Sequence, residues 1–190
     1  MSKFTDEFEI DGRMVGENHP TYIIAEAGIS HFGNEDKAYE LVDLAVNAGA
    51  DAVKFQVFDI DAMMTKDLVD WRERLGSRAL PYKAFERIQA YCKEKGITFF
   101  ATAHDEPSLE FLADIDIPVH KIGSGEVGNW PYLEKVAKIG KPFIFSTGMY
   151  QINQIQEALD VVAATNNFEV AVLHCVTSYP TPANEVSLQN

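Results

Sequence analysis

Lys121-Ile122-Gly123-Ser124-Gly125-Glu126 packs a cation, a hydroxyl, two glycines and a carboxylate into six residues, directly after a β-prone apolar run. Glycines let a backbone approach an anion closely. Their N–H groups, joined by a Lys and a Ser, make a cradle of phosphate or carboxylate size. Three other segments, 23–31, 52–56 and 145–149, share the layout: an apolar run ends in polar groups and a helical pattern follows. Polar residues delivered at the exits of successive strands are how an α/β protein builds one site from distant sequence.

Strand signals fall at 22–27, 52–58, 98–103, 119–122, 143–146 and 170–175. Each reads as a continuous apolar or β-branched run, the pattern of parallel strands buried on both faces. Amphipathic helices lie between them. Asn34 is placed to cap the first, in which Leu41, Val42 and Ala45 share a face and after which Gly49 follows. Phe85, Ile88 and Cys92 step by three and four before Gly96, and Ile152, Ile155, Leu159 and Val162 form the cleanest stripe. Pro107, Pro131, Gly140 and Pro142 punctuate the joins. Phe4, Phe8 and Ile10, around Asp11-Gly12, predict a short N-terminal strand or hairpin. Segment 59–80, with Trp71, Arg72, Arg74 and Arg78, is a long aperiodic insertion, and a loop of that length usually covers a site or a partner.

Six strand–helix steps in one direction leave an open doubly wound sheet or a (β/α)8 TIM barrel. Polar residues at nearly every strand exit favour the barrel, because an open sheet gathers its site mainly at one switch point. A barrel needs eight strands and typically ~250 residues. The expectation is therefore an α/β domain of (β/α)8 type, with about six β/α units in residues 1–190 and the final strands absent.

The chain has 16 basic and 29 acidic residues, a formal charge of −13, which argues against nucleic acid as a partner. A few local cations can still hold an anionic substrate at short range. No apolar run approaches the ~18 residues of a membrane span, and the start, with one Lys and no apolar core, does not read as a secretory signal. Cys92 on a helical face and Cys175 at a strand end read as two reduced thiols of a cytoplasmic protein.

Glu26 ends an apolar strand. In a barrel mouth it would be desolvated and serve as acid or base; otherwise it anchors neighbouring loops while His31 caps the next helix. Lys54 and Gln56 alternate with Val53 and Phe55 and so point to one side of their strand. A Lys there is costly unless it meets an anion, either a substrate or a carboxylate such as Glu26. Lys121 and Ser124, flanked by Glu126, are the strongest pair. Ser146-Thr147-Gly148 is a smaller cradle, or a turn whose hydroxyls satisfy backbone N–H groups. In 174–182, Thr177 and Tyr179 follow His174, and two prolines stiffen the loop and could hold Tyr179 over a pocket. His104 and His120 have no partner at metal-ligand spacing and read as structural. There is no Cys/His cluster, nucleophile elbow, Walker loop or dinucleotide fingerprint.

Taken together, Ile-Ala-Glu-Ala-Gly at 24–28, Gly-Ala-Asp-Ala-Val-Lys-Phe-Gln at 49–56, the 121–126 segment, Ser-Thr-Gly-Met at 146–149 and Leu-His-Cys-Val-Thr-Ser-Tyr-Pro-Thr-Pro at 173–182 resemble the N-acetylneuraminate (sialic acid) synthase family. The resemblance runs from about residue 20 to the end, with the motifs in order. It implies a TIM-barrel transferase of sialic acid biosynthesis that condenses phosphoenolpyruvate with an N-acetylated amino sugar, such as N-acetylmannosamine, and releases phosphate. Lys54, Lys121 and Ser124 would hold phosphoenolpyruvate, with Lys121 counted among the catalytic groups. Gln56 and Tyr179 would contact the sugar, Ser146, Thr147 and Thr177 would line the substrate site, Glu26 would stand beside the reacting carbons and Glu126 would support them.

The resemblance also implies a divalent metal, manganese or magnesium, whose histidine ligands are expected beyond residue 190. It implies a homo-oligomer when full length, in which a C-terminal antifreeze-like domain reaches over the partner's sugar site. Several relatives have Asn where this chain has Thr177, and the Arg-bearing 59–80 segment differs from the usual sugar-contacting loop. That segment is expected to be a mobile cover in which Arg72 or Arg74 meets the sugar. The alternatives are a pseudaminic-, legionaminic- or spore-coat-type sugar synthase, a 3-deoxy-sugar phosphate synthase, or a non-catalytic anion-binding module.

Overall fold

A computed structural model describes residues 4–188. The readings of the chain's start and end rest partly on residues 1–3 and 189–190, which lie outside the described residues. The chain forms two compact units, one running from Glu9 to Pro118 and the other combining residues up to Phe8 with those from Val119 on.

In the Glu9–Pro118 unit, strands β3 (Ile24–Gly28), β4 (Ala52–Val57) and β5 (Thr98–Ala103) pair in parallel, neighbour to neighbour. Helices α1 (Glu35–Asn47), α4 (Tyr82–Lys95) and α5 (Glu106–Asp114) belong to the same unit. Ala38, Val42 and Ala45 of α1 and Ala84, Phe85, Ile88 and Cys92 of α4 are buried, with Phe55 of β4 against the Phe85 and Phe99 rings. Burying each large apolar side chain contributes about 1.5–3 kcal/mol. The same burial pushes the Cys92 thiol up to about 12, which leaves it an inert packing group. Asn34 Oδ1 accepts the Lys37 N–H at 3.1 Å, and Gly96 closes α4 at φ +71, so both helix limits predicted from sequence hold.

An N-terminal hairpin, β1 (Glu7–Ile10) and β2 (Arg13–Gly16), turns through Asp11 and Gly12 at φ +50 and +80, the positive pair that a tight two-residue turn requires. Thr98 at the start of β5 donates to Asp11 Oδ2 at 2.9 Å. Arg13 pairs with Asp51, whose other oxygen accepts the Ile23 N–H at 2.6 Å. These contacts tie the hairpin to the starts of the strands, the end opposite the polar exits.

The 59–80 insertion folds into two short helices, α2 (Ile60–Met63) and α3 (Val69–Gly76). Neither is long enough to stand alone. Arg72 braces them, donating to the Ile60 carbonyl at 3.0 Å and the Met64 carbonyl at 2.7 Å and pairing with Asp61. Asp105 fixes the root: one oxygen accepts the Asp59 N–H and the other caps α5 at Ser108, both at 2.7 Å. The expectation that Arg72 meets a sugar is thus corrected, because its guanidinium is occupied within the insertion.

In the other unit, β6 (His120–Ile122), β7 (Phe143–Ser146) and β8 (Val170–Leu173) also pair in parallel, accompanied by α6 (Trp130–Lys138) and α7 (Ile152–Ala164). Asn167 joins its layers by donating to the Ala137 and Lys141 carbonyls at 3.2 and 2.8 Å. The α7 stripe is only partly buried. Val162 is covered, with Ala158 and Ala163, whereas Ile152 is 80% exposed. The neighbouring β8 is open too, with Val172 and Leu173 exposed, so the helix flanks an outer strand rather than a covered one.

Within each unit the strands pair in chain order, β3-β4-β5 in one and β6-β7-β8 in the other. A doubly wound sheet would reverse direction at a switch point, whereas chain order without reversal is that of a (β/α)8 barrel. The fold is of this type and incomplete in this chain, with six β/α strands.

Candidate active site

In the β3–β5 unit, register puts Glu26 beside Lys54 and Gln56 beside Thr102. Lys54 Nζ lies 2.5 Å from Glu26 Oε2 and donates to Thr102 Oγ1 at 3.4 Å, and Gln56 Nε2 donates to Glu26 Oε1 at 3.5 Å. The Lys54 side chain is only 11% exposed and that of Glu26 47%. A nearly buried ammonium is therefore neutralised by a carboxylate that keeps one side open to solvent. A break in register between Glu26 and Gly28 frees this carboxylate from the regular pleat. Gly28 has φ +54, and a Cβ there would stand 3.1 Å from Glu26 Oε1.

His31 does not cap α1. It is buried against the Phe55 and Phe85 rings, and its Nδ1 accepts the Gly33 N–H at 3.1 Å. Burial lowers its pKa.

In the β6–β8 unit, Lys121 Nζ donates to Ser146 Oγ at 2.6 Å and to the Ile122 carbonyl at 2.7 Å. Ser124–Glu126 forms a single 3-10 turn, and Glu126 Oε2 accepts from Asn129 at 2.7 Å. Lys121 and Ser146 are thus brought together, with Ser124 three residues on. Thr147 is used structurally: its hydroxyl and its N–H both donate to the Leu173 carbonyl, at 2.8 and 3.2 Å. This ties the β7 exit to the end of β8, and Gly148 lies close against the segment that follows, since a Cβ there would stand 2.7 Å from Thr177 Oγ1. Tyr179 is a correction. Its side chain is 93% exposed, so the prolines do not hold it over a pocket.

Two polar groups escaped the sequence reading. Thr102 sits in the wholly buried run Thr98–Ala103, and its signal was parity with Phe100, opposite Lys54. Tyr150 packs edge-on against Phe145 at 4.9 Å, and its buried hydroxyl has no hydrogen-bond partner among the described residues. Burial and then the Glu126 carboxylate push it up to about 12, so it stays a donor. Among the described residues no group of three or more His, Cys, Asp or Glu side chains is placed to hold a metal, and none of the helices is long and apolar enough to cross a membrane.

A parallel sheet in chain order that presents cations beside hydroxyls and carboxylates at its strand exits places the chain in the barrel class. The chain belongs to the NeuB family, whose model matches residues 41–190. It is similar to the spore coat polysaccharide biosynthesis protein SpsE of Bacillus subtilis, with 38% identity over 92% of this chain and 50% of that protein. The human N-acetylneuraminate-9-phosphate synthase is 34% identical over 94% of this chain and 53% of the enzyme. The crystal structure of N-acetylneuraminic acid synthetase from Leptospira borgpetersenii, in complex with citrate, superposes with a TM-score of 0.90 at 30% identity, over 96% of this chain and 63% of that one. The chain spans about half the length of the curated relatives it matches.

Proposed function

We propose that the chain is the strand β3–β8 portion of a sugar acid synthase that condenses phosphoenolpyruvate with an N-acetylated amino sugar, releasing phosphate. The observation that carries the reading is the Glu26–Lys54–Thr102 cluster, a nearly buried cation held beside an open carboxylate. In the reaction, C3 of phosphoenolpyruvate attacks the sugar's aldehyde carbon: its C=C electrons form the new C–C bond, and the carbonyl π pair moves onto the aldehyde oxygen, which takes up a proton to become a hydroxyl. Positive charge develops at C2, water adds there, and phosphate departs from the same carbon.

Glu26 has the charge to stabilise C2 and to accept a proton from the incoming water. Lys54 pairs with Glu26 and offers its charge to the anionic substrate, while Gln56 orients the carboxylate's second oxygen. Lys121 and Ser124 bind phosphoenolpyruvate, with Ser146 fixing the Lys121 ammonium. A divalent metal, manganese or magnesium, would polarise the aldehyde. The described residues offer no ligand set for it, so no step above runs through it.

The test is a hybrid in which residues 1–190 replace the matching half of Bacillus subtilis SpsE, assayed for phosphate release with a panel of N-acetylated sugars. Sugar-dependent release that Glu26→Gln lowers by roughly 100-fold is expected, the usual scale for a general acid–base group. Release indifferent to Glu26→Gln would contradict the assignment.

A further inference from the structure

The Tyr150 hydroxyl is a buried donor that no group among the described residues accepts. Most buried polar groups are paired, so one left single calls for a reason. Its ring is held in place. It stands edge-on to Phe145 at 4.9 Å and 6.4 Å from the Trp130 ring, and the Tyr150 N–H donates to the Thr147 carbonyl at 2.9 Å, closing the β7 exit turn. Phe145 and Ser146 are successive residues of β7 and point to opposite faces. Ser146 takes the Lys121 ammonium on one face, so Tyr150, seated on Phe145, stands on the other.

Glu126 is the acid whose charge reaches this hydroxyl. Its Oε2 accepts from Asn129 at 2.7 Å in an exposed contact, which water can replace at little cost. The turn that carries it has room to shift, since a Cβ on Gly125 or Gly128 would meet open space. Two exit loops therefore meet twice. Lys121 and Ser146 join them on one face by a formed hydrogen bond, and on the other a carboxylate lies within electrostatic reach of a donor still without an acceptor.

We propose that Tyr150 is a positioning residue of the anion site: when an anion occupies Lys121 and Ser124, Glu126 turns from Asn129 and accepts the Tyr150 O–H. Glu126 follows Ser124 by two residues, so a bound anion repels its carboxylate. A neutral donor on the far face takes that charge without carrying it away from the turn, and a hydrogen bond to an ionised group is among the stronger ones. The Ser124–Glu126 turn is then pinned on both sides, by Lys121 on Ser146 and by Glu126 on Tyr150. This inference rests on the function proposed above, in which Lys121 and Ser124 hold phosphoenolpyruvate.

A double-mutant cycle on the 190-residue chain tests it, with Tyr150→Phe, Glu126→Ala and the pair, each read by urea denaturation without ligand and by calorimetry with phosphoenolpyruvate. Without ligand, Tyr150→Phe should leave the urea midpoint unchanged or raise it, because it deletes a buried donor that has no acceptor. With phosphoenolpyruvate, the same substitution should weaken binding about tenfold, the scale of one hydrogen bond to a charged group. In the Glu126→Ala background it should change affinity by less than about twofold, because the two residues act as a pair. A Tyr150 that only filled space would show no such dependence on residue 126. A lowered midpoint in Tyr150→Phe would mean that the hydroxyl is already paired in the free chain and would overturn the inference. So would unchanged phosphoenolpyruvate affinity in Tyr150→Phe, or a tenfold loss that persists in Glu126→Ala. If phosphoenolpyruvate binding is absent or ignores Lys121→Ala, the underlying function falls, and the role of Tyr150 with it.

Discussion

Single residues carry much of the account, and His120 is the clearest for pH. It is 3% exposed, its Nε2 has no partner among the described residues, and burial, followed by the Lys141 charge, lowers its pKa to about 4. His31 is lowered in the same direction by burial. A His whose folded pKa lies below its unfolded value of about 6.5 takes up fewer protons when folded, so stability is lost as pH falls from about 6.5 toward 4. Urea midpoints across that range should decline, and His120→Gln should flatten the decline. A flat wild-type profile would show that these imidazoles are not held neutral. Glu35, pulled down to about 2 by Arg87 and then Tyr39, adds its own loss only below about pH 4.5.

Gly28 supports a second prediction at this scale. Gly28→Ala would place a Cβ 3.1 Å from Glu26 Oε1 at φ +54 and should cost about 1–3 kcal/mol in chemical denaturation. A neutral substitution would mean that the bulge does not constrain the carboxylate. Residues such as Glu26 and Lys54 were legible because a charge in an apolar strand demands an explanation. Tyr179 was not, because prolines show that a loop is stiff but not which way its side chains face.

At the scale of elements, the strands were legible almost to the residue. The runs at 98–103 and 143–146 coincide with β5 and β7, and the other four differ by a residue or two at their ends. The hairpin was legible too, through Phe8 and Ile10, which are buried, and the Asp11-Gly12 turn. The 59–80 insertion was not, because its order comes from Arg72 reaching carbonyls eight and twelve residues away, a tertiary contact without periodicity. Arg72→Ala should therefore raise amide exchange in 59–80 by roughly 10–100-fold while leaving β4 and β5 protected, as local opening does. Unchanged exchange would show that α2 and α3 are held by other contacts. The α7 stripe teaches the reverse lesson. Its period is helical, as read, but period alone does not say that Ile152 meets a partner.

For the whole molecule, chain order of the strands follows from the alternation of β and α signals, and the barrel class with it. What composition could not supply is the complement of groups needed for turnover. With no metal-ligand cluster among the described residues, and about half the length of its relatives, the 190-residue chain on its own should show no measurable condensation. Metal-dependent turnover by the purified chain would contradict this. The open β8, with Val172 46% exposed, should also favour self-association, because an unpaired strand offers a template for another. Light scattering should show a mass that rises with concentration and that Val172→Lys lowers.

If the strand-exit cations bind phosphoenolpyruvate, calorimetry with that ligand on the 190-residue chain will register it. Lys121 donates to Ser146 at 2.6 Å and so is held in place before any ligand arrives. Binding should be saturable, and Lys121→Ala should weaken it by about 1.5–3 kcal/mol, the scale of a charged hydrogen bond. Binding of unchanged affinity in Lys121→Ala, or no binding by the intact chain, would contradict it and leave the Lys121–Glu126 segment a structural turn.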